Sequence, residues 1–213
     1  MARTKDHYDE TKEKLVRLSL QQFIENGYEN TTITDIMRAA ELSKGGMYHY
    51  FSSKEDILEE VIDYGLRQEI DHIQENLNQL PIEEQLIYFI QYNNFSEFTN
   101  KLLRYREKEG QSMVAYRIRE KNIAFCIPVL TTIFEKGTAA GIYSTNTPKV
   151  MAELFMLMTK AVLESHYLPE ATVEERKDRM AVSLQLFQNS LHPSQPHFEQ
   201  IEELFYSLIG ESG

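Results

Sequence analysis

Glycine and proline are sparse in this chain, and the breaks they make leave segments of helical length. Only nine glycines and six prolines occur in 213 residues, and the clearest breaks fall at Gly27, Pro81, Gly110 and the stretches 141–148 and 192–196. Leucine, glutamate, lysine and glutamine, which favour helices, are plentiful between these breaks. The pattern predicts an all-α fold and disfavours sheet classes, which need many short strands with frequent turns.

Three short helices are expected in the first 51 residues. Apolar spacing gives helix one over about residues 11–26, and Gly27 follows where a helix C-cap requires positive φ. Thr32 and Asp35 have capping-box spacing and open a short helix two, and Ser43 is a suitable N-cap for helix three. Three helices with a tight turn between the second and third have the geometry that places a recognition helix in the DNA major groove.

A long helix and a set of further helices are expected after this segment. Ser52 and Glu55 give a second capping box, and apolar residues continue at helical spacing, so one helix is predicted over about residues 54–80, ending before Pro81. Pro128 should kink or restart the helix that contains it, because proline removes a backbone donor. Further helices are predicted near residues 83–108, 113–140, 147–166, 172–190 and 198–209.

Helix three decides whether DNA binding is plausible. At 100° per residue, Met47 and Phe51 point towards the small core, while Gly45, Tyr48 and His49 point outwards with Lys44 at their edge. Glycine permits close approach of a backbone, and lysine offers a positive charge to a phosphate. The Tyr48 hydroxyl could donate to a phosphate, and His49 could reach a phosphate or a base edge.

The stretch FIENGYENTTITDIMRAAELSKGGMYHYFSSKEDIL resembles the tetracycline-repressor-like (TetR) family of bacterial transcriptional regulators. The resemblance rests on an aromatic-plus-glycine helix end, a threonine-rich helix two, the motif SKGxxYxxF and a trailing SK, over about residues 11–58. Glu41 stands where the family often has glycine, so the turn after helix two must accommodate a side chain. The resemblance implies DNA contacts from Thr31 or Thr32 and from Ser43, Lys44, Gly45, Gly46, Tyr48, His49, Tyr50 and Lys54.

The resemblance also implies a ligand-responsive regulator, most simply a repressor that binds a palindromic operator as a homodimer. We expect a DNA-binding helix-turn-helix domain at residues 1–53, joined by the long helix to a helical bundle for ligand binding and dimerisation at residues 54–213. For the dimer face we favour the doubly apolar helix at 147–166 with Val173, Met180, Leu184, Phe187 and Leu191. A small apolar or aromatic effector would be bound by Tyr88, Tyr92, Phe95, Tyr116, Phe125, Phe155 and Met158.

The charge distribution is compatible with DNA binding although the net charge is −11. Residues 1–54 contain eight basic and eight acidic residues, so the whole acidic excess follows residue 54. The acidic total nevertheless favours an alternative, in which the chain is a helical small-molecule carrier or protein-interaction module and its helix-turn-helix is only structural. Binding to DNA separates the two hypotheses.

Other classes of protein find no support in the sequence. There is no HExxH, GxSxG, GxGxxG or Walker A motif, so we expect no enzyme activity, no metal site and no cofactor. Cys126 is the only cysteine, which excludes an intramolecular disulfide and indicates a reducing compartment. No apolar run approaches the roughly 20 residues of a membrane span, and the first residues do not read as a secretory signal, so a cytoplasmic location without membrane contact is expected.

Overall fold

The structure, a computed structural model, describes residues 2–94, 113–163, 172–193 and 195–211. These residues form helices joined by short turns, with no strand in the described ranges, which confirms the all-α prediction. The helices are α1 (Ala2–Asn26), α2 (Ile33–Ala40), α3 (Lys44–Tyr50), α4 (Lys54–Leu77), α5 (Ile82–Asn94), α6 (Met113–Ala139), α7 (Pro148–Leu163), α8 (Val173–Leu191) and α9 (Gln195–Glu211). Within the ranges given, none of these helices is long and apolar enough to cross a bilayer.

Two predicted boundaries differ from the structure for local reasons. Helix α1 begins at Ala2, well before the predicted start at residue 11, because its polar first turns carry no apolar periodicity that the sequence could show. Helix α4 ends at Leu77 rather than near residue 80. The buried Gln85 amide donates to the carbonyl oxygens of Leu77 and Leu80 at 2.9 and 3.1 Å, which satisfies acceptors that the end of the helix leaves open.

Other predicted elements fall within a few residues of the observed helices, apart from two cases. The predicted helix at 83–108 corresponds to α5, and its part beyond residue 94 lies outside the described residues. Pro128 was expected to kink or restart its helix, and the restart is wrong, because α6 continues through it. Pro128 is exposed, whereas Val129 and Leu130 beside it are buried, so packing of the flanking turns holds the helix together despite the missing donor.

The chain divides into two compact units, which are described separately. Among the described residues, the first unit contains 2–69 and 113–122, and the second contains 70–94, 123–163, 172–193 and 195–211. Helices α4 and α6 each have residues in both units. The core of the first unit is formed by Leu15, Val16, Phe23, Ile36, Met47, Phe51, Ile57, Leu58, Val61, Ile62, Leu66, Val114, Ala115 and Ile118.

An ion cluster joins α4 to the beginning of α6 in the first unit. Lys121 Nζ lies 2.6 Å from Asp63 Oδ1 and 2.8 Å from Glu59 Oε2, and Arg117 Nε lies 3.3 Å from Glu59 Oε1. Burial lowers the pKa of Lys121, but hydrogen bonds and charges from Asp63 and Glu59 outweigh this effect, so the pKa is raised. The cluster therefore keeps its lysine charged and ties the two helices together.

The second unit has an aromatic core that includes one buried polar pair. Phe89, Phe134, Phe155, Phe187 and Phe205 are all at most 5% exposed. Tyr143, after the turn that ends α6, reaches His197 near the start of α9, with Tyr143 Oη 2.6 Å from His197 Nε2.

The Tyr143 ring also determines the residue at position 137. It packs against Gly137 so closely that a Cβ at this position would collide with Tyr143 Cδ2 and Cε2. The absence of a side chain at Gly137 is thus a packing requirement of the turn.

Candidate nucleic-acid interface

Helix α2 begins at the predicted capping box. Thr32 is the N-cap, its side chain accepts a hydrogen bond from Asp35 N at 3.2 Å, and Thr32 N donates to Asp35 Oδ2 at 3.0 Å. These hydrogen bonds from Thr32 lower the pKa of the Asp35 carboxyl. The box orients an exposed threonine hydroxyl at the start of the first helix of the helix-turn-helix.

The turn between α2 and α3 accommodates a non-glycine residue, as the sequence required. Glu41 adopts the left-handed conformation with φ of 55°, where glycine would be unstrained. Leu42 N donates to Met37 O at 3.0 Å, which closes the end of α2. Ser43 then caps α3, its side chain accepting from Gly46 N at 3.2 Å.

Helix α3 presents the two faces that its sequence predicted. Met47 and Phe51 are 1% and 2% exposed, and they anchor the helix in the core of the first unit. Tyr48 is 48% exposed, and Lys44, Gly45 and His49 are exposed beside it. A Cβ at Gly45 would meet nothing within 4 Å, so its backbone faces open space. Tyr50 is half-buried.

Thr31 requires a correction, because its side chain is 1% exposed. Its hydroxyl donates to the carbonyl oxygens of Gly27 at 2.8 Å and Gln22 at 3.2 Å. The hydroxyl thus ties the end of α1 to the start of the helix-turn-helix, and no DNA phosphate can reach it. Of the two adjacent threonines, only Thr32 is exposed for an intermolecular contact.

Lys54, at the start of α4, is held in place by an aromatic ring. Its Nζ lies 4.2 Å from the centroid of the Tyr28 ring and donates to Glu29 O at 3.4 Å. Burial of Tyr28, together with the charges of Glu55 and Glu29, raises its pKa to about 12. In the ranges that the structure covers, neither Lys54 nor Lys44 forms a salt bridge with a carboxylate. Both ammonium groups are available to an anion.

The predicted effector residues differ in burial and do not all belong to the same unit. Phe155 is buried in the core of the second unit, whereas Tyr116 is 60% exposed and belongs to the first. Phe95 lies outside the described residues. Tyr88, Tyr92, Phe125 and Met158 are half-buried in the second unit. Burial among aromatic neighbours explains the error for Phe155, since an apolar sequence pattern does not distinguish core from pocket.

The second unit does contain a small cleft, lined by other residues. Its volume is about 150 Å³, and its walls come from α4, α5 and α6. The lining residues are Gln74, Leu77, Asn78, Gln85, Val129, Thr132, Ile133 and Lys136. Their spacing of three and four residues along α4 and α6 is visible in the sequence, but such spacing does not distinguish the wall of a cleft from a packed helix face.

The predicted dimer face is partly wrong. Met180, Leu184, Phe187 and Leu191 are at most 5% exposed and belong to the core of the second unit. Val173 and the helix at 147–166 of the predicted face do carry exposed apolar residues, and the exposed set is Val150, Leu154 and Leu157 of α7 with Val173, Val182 and Leu186 of α8, all between 41% and 63% exposed. We refer to these six residues as the α7–α8 apolar patch.

Known proteins match mainly the N-terminal part of the chain. The family described as "Bacterial regulatory proteins, tetR family" matches residues 15–61. An uncharacterized HTH-type transcriptional regulator of Bacillus subtilis, YfiR, is 35% identical over 63 residues, 30% of this chain and 31% of that protein. The HTH-type transcriptional regulator QacR of Staphylococcus aureus is 36% identical over 52 residues, 24% of this chain and 28% of that protein. The matched segments thus span less than a third of either relative.

Solved structures share a similar fold over most of the chain. A TetR-family transcriptional regulator from Pectobacterium atrosepticum matches with a TM-score of 0.57 at 16% identity, over 86% of this chain and 93% of that chain. At this level of identity the likeness concerns the fold alone. It agrees with the all-α architecture described above.

Proposed function

We propose that the protein is a dimeric, ligand-responsive transcriptional repressor whose N-terminal helix-turn-helix, similar over residues 15–61 to the tetR family of bacterial regulatory proteins, binds DNA. The observation that carries the proposal is the exposed face of α3. Lys44, Gly45, Tyr48 and His49 share this face, while Met47 anchors the other side of the helix. A charge, an open backbone, a hydroxyl and an imidazole are the groups that contact phosphates and base edges in a major groove.

Residues on both sides of α3 extend the proposed contact surface. Thr32 would contact a phosphate at the start of α2, and Lys54 would contact another at the start of α4. The stacking of Lys54 on Tyr28 supports its role, because an ammonium held in one place loses less conformational entropy on binding than a free one. Ser43, Gly46 and Tyr50 complete the proposed set, whereas the buried Thr31 is left out of it.

We assign the α7–α8 apolar patch to a second copy of the chain. Val150, Leu154 and Leu157 lie on one face of α7, and Val182 and Leu186 lie one turn apart on α8. Full burial of one such side chain contributes about 1.5–3 kcal/mol, and twofold symmetry counts each residue twice. A single recognition helix reads few base pairs, so two copies on half-sites about 34–36 Å apart would supply the specificity of a palindromic operator.

We place the effector in the second unit, at the cleft between α4, α5 and α6. The predicted effector was apolar or aromatic, but the cleft combines apolar Leu77, Val129 and Ile133 with the amides of Gln74 and Asn78. This mixture suits a small ligand with an apolar body and hydrogen-bonding groups. A ligand that prefers the conformation with wrongly spaced recognition helices would weaken operator binding, typically by about 1–3 kcal/mol.

The DNA-binding proposal is tested by selecting duplexes from a random pool with the full-length wild-type protein. We expect enrichment of an inverted repeat. Lys44→Ala should weaken binding to the enriched duplex and lower the slope of log affinity against log salt by about one per protomer. Tyr48→Phe, which removes only a hydroxyl, should weaken binding about 2- to 10-fold per protomer. Lys177→Ala removes a cation from α8 and is the matched control, for which we expect no change.

Two outcomes would reject this proposal. A pool without any enriched sequence would favour the carrier or interaction module instead. An enriched duplex that Lys44→Ala and Tyr48→Phe bind as tightly as the wild type does would show that α3 is not the reading element. Native mass spectrometry of the purified protein tests the effector part independently, because a co-purified small molecule would add its mass to the dimer.

A further inference from the structure

Helix α1 begins before the segment that the family comparison matches, and its additional residues pack against α3. The match begins at residue 15, whereas α1 begins at Ala2. Tyr8, in this additional stretch, is half-buried. It is followed at helical spacing by Lys12, Leu15, Ser19 and Phe23, of which the last three are at most 1% exposed. Tyr8 therefore continues the inward face of α1 by almost two turns.

Three rings meet where this extension contacts α3. The Tyr8 ring stacks on Tyr50, with centroids 4.8 Å apart and planes inclined by 29°. It also meets His49 edge to face, with centroids 5.5 Å apart and planes at 89°. His49 and Tyr50 themselves lie 5.3 Å apart at 76°. Each ring of the Tyr8–His49–Tyr50 cluster thus contacts both others with geometry that aromatic rings favour.

The next turn of α1 fixes the position of Tyr8. Lys12 Nζ lies 2.6 Å from Glu60 Oε1 on α4 and 5.9 Å from the centroid of the Phe51 ring. Phe51 is the C-cap of α3. Lys12 therefore contacts both α4 and the end of α3 one turn after Tyr8, which favours the packing of this part of α1 beside His49.

Among the proposed DNA contacts, His49 is one that could reach a base edge, so its orientation would affect base recognition. It is exposed at the last turn of α3, where an imidazole without ring neighbours could occupy several rotamers. Contacts with two rings restrict these rotamers before any DNA is bound. A side chain held in its bound orientation loses less entropy on binding, and the restriction favours one set of base-edge partners over others.

We propose that Tyr8 is a positioning residue for DNA recognition: its ring, packed on His49 and Tyr50, orients the His49 imidazole and so contributes to sequence preference. The inference rests on the proposed function. Tyr8 acts through His49 and is not assigned a DNA contact of its own. Loss of the ring should therefore reduce binding to the preferred sequence more than binding to DNA in general.

The test compares two DNA probes, the duplex enriched by the wild type and a scrambled duplex of the same length. Tyr8→Ala should weaken binding to the enriched duplex about 3- to 10-fold per protomer, as expected for the loss of aromatic contacts, and leave the scrambled duplex and the salt slope unchanged. Tyr8→Phe keeps the ring and should retain wild-type preference. Tyr8→Leu keeps apolar bulk without a ring and should resemble Tyr8→Ala. Lys177→Ala, on α8, is the control and should leave binding to both duplexes unchanged.

A double-mutant cycle with His49→Ala identifies the route of the effect. If Tyr8 acts by orienting His49, Tyr8→Ala should have little further effect in the His49→Ala background. In the free protein, the His49 ring-proton resonances should shift in Tyr8→Ala and stay in place in Tyr8→Phe, because a neighbouring ring current is lost only in the first.

The outcomes separate this inference from the proposed function. Three results would overturn the positioning role and leave the proposed regulator intact. Tyr8→Ala could weaken binding equally in the wild-type and His49→Ala backgrounds. Tyr8→Leu could bind the enriched duplex as well as Tyr8→Phe does, or Tyr8→Phe could bind it as weakly as Tyr8→Ala does. An enriched duplex that Tyr8→Ala binds like the wild type would do the same. Failure of the wild-type protein to enrich any sequence would reject the proposed function and this inference with it.

Discussion

Acidification from pH 7.5 to 5.5 should destabilise the second unit, because His197 is buried there in its neutral form. His197 is 5% exposed and Tyr143 is 3% exposed, and their side chains are 2.6 Å apart. Burial lowers the pKa of His197, although the nearby charge of Glu83 acts in the opposite direction. Burial also raises the pKa of Tyr143, so the phenol stays protonated and can donate to His197 Nε2 when the neutral imidazole carries its proton on Nδ1. Protonation of that nitrogen would remove the acceptor.

The sign follows from proton uptake by the unfolded chain. Below pH 6.5, the ordinary histidine value, the unfolded chain binds a proton that the folded chain does not bind. The stabilisation is therefore complete above pH 6.5 and is lost as the pH falls from there towards the lowered pKa of the folded state. At 1.36 kcal/mol per pH unit, the loss at pH 5.5 reaches at most about 1.4 kcal/mol.

The measurement is urea unfolding followed by circular dichroism at pH 7.5, 6.5 and 5.5, for the wild type and for His197→Gln. The glutamine amide oxygen can accept from Tyr143 but does not titrate in this range. We expect the wild type to lose up to about 1.4 kcal/mol more than His197→Gln between pH 7.5 and 5.5. A difference between the two proteins that stays constant over the three pH values would refute the argument.

Three other predictions concern single substitutions in the α7–α8 apolar patch, the α2 capping box and the Lys121 ion cluster. Leu157→Glu should raise the dimer dissociation constant, measured by sedimentation equilibrium, about 30-fold or more, because it removes apolar burial twice and adds two carboxylates. Tyr116→Glu should leave the dissociation constant unchanged, and equal effects of the two variants would reject the α7–α8 apolar patch as the interface. Thr32→Ala should lower the free energy of unfolding by about 1 kcal/mol in urea, and no loss would show that its capping box does not stabilise α2. Lys121→Met should cost about 1–3 kcal/mol in the same assay and Lys121→Arg much less; equal losses would mean that shape rather than charge matters there.

Local spacing predicted the helix-turn-helix well because its determinants are close together in sequence. The inward position of Met47 and Phe51 follows from one helical turn of separation, and the Thr32–Asp35 box follows from three residues. The choice between Thr31 and Thr32 needed tertiary structure, because both could cap a helix. Only the placement of the Gly27 carbonyl beside Thr31 shows which hydroxyl turns inwards.

The proposed dimer face and effector site could not be predicted from the sequence for a different reason. Leu184 and Phe187 form an apolar stripe, and such a stripe indicates that a face is buried without indicating by what. The structure shows that the rest of the same unit buries it, while Val182 and Leu186 remain exposed on another side of α8. Pockets and interfaces depend on residues far apart in the chain, whereas periodicity reports only one helix at a time.

A side chain at position 137 would collide with Tyr143, so the residues at these two positions are expected to change together in evolution. Neither site can change freely while the other stays as it is, so acceptable substitutions should occur in pairs. Homologues with an aromatic ring at the position of Tyr143 should have glycine at the position of Gly137. Homologues with a larger residue at the position of Gly137 should have a small residue at the position of Tyr143. In the second group, the histidine at the position of His197 would lose its hydrogen-bond partner and could be replaced.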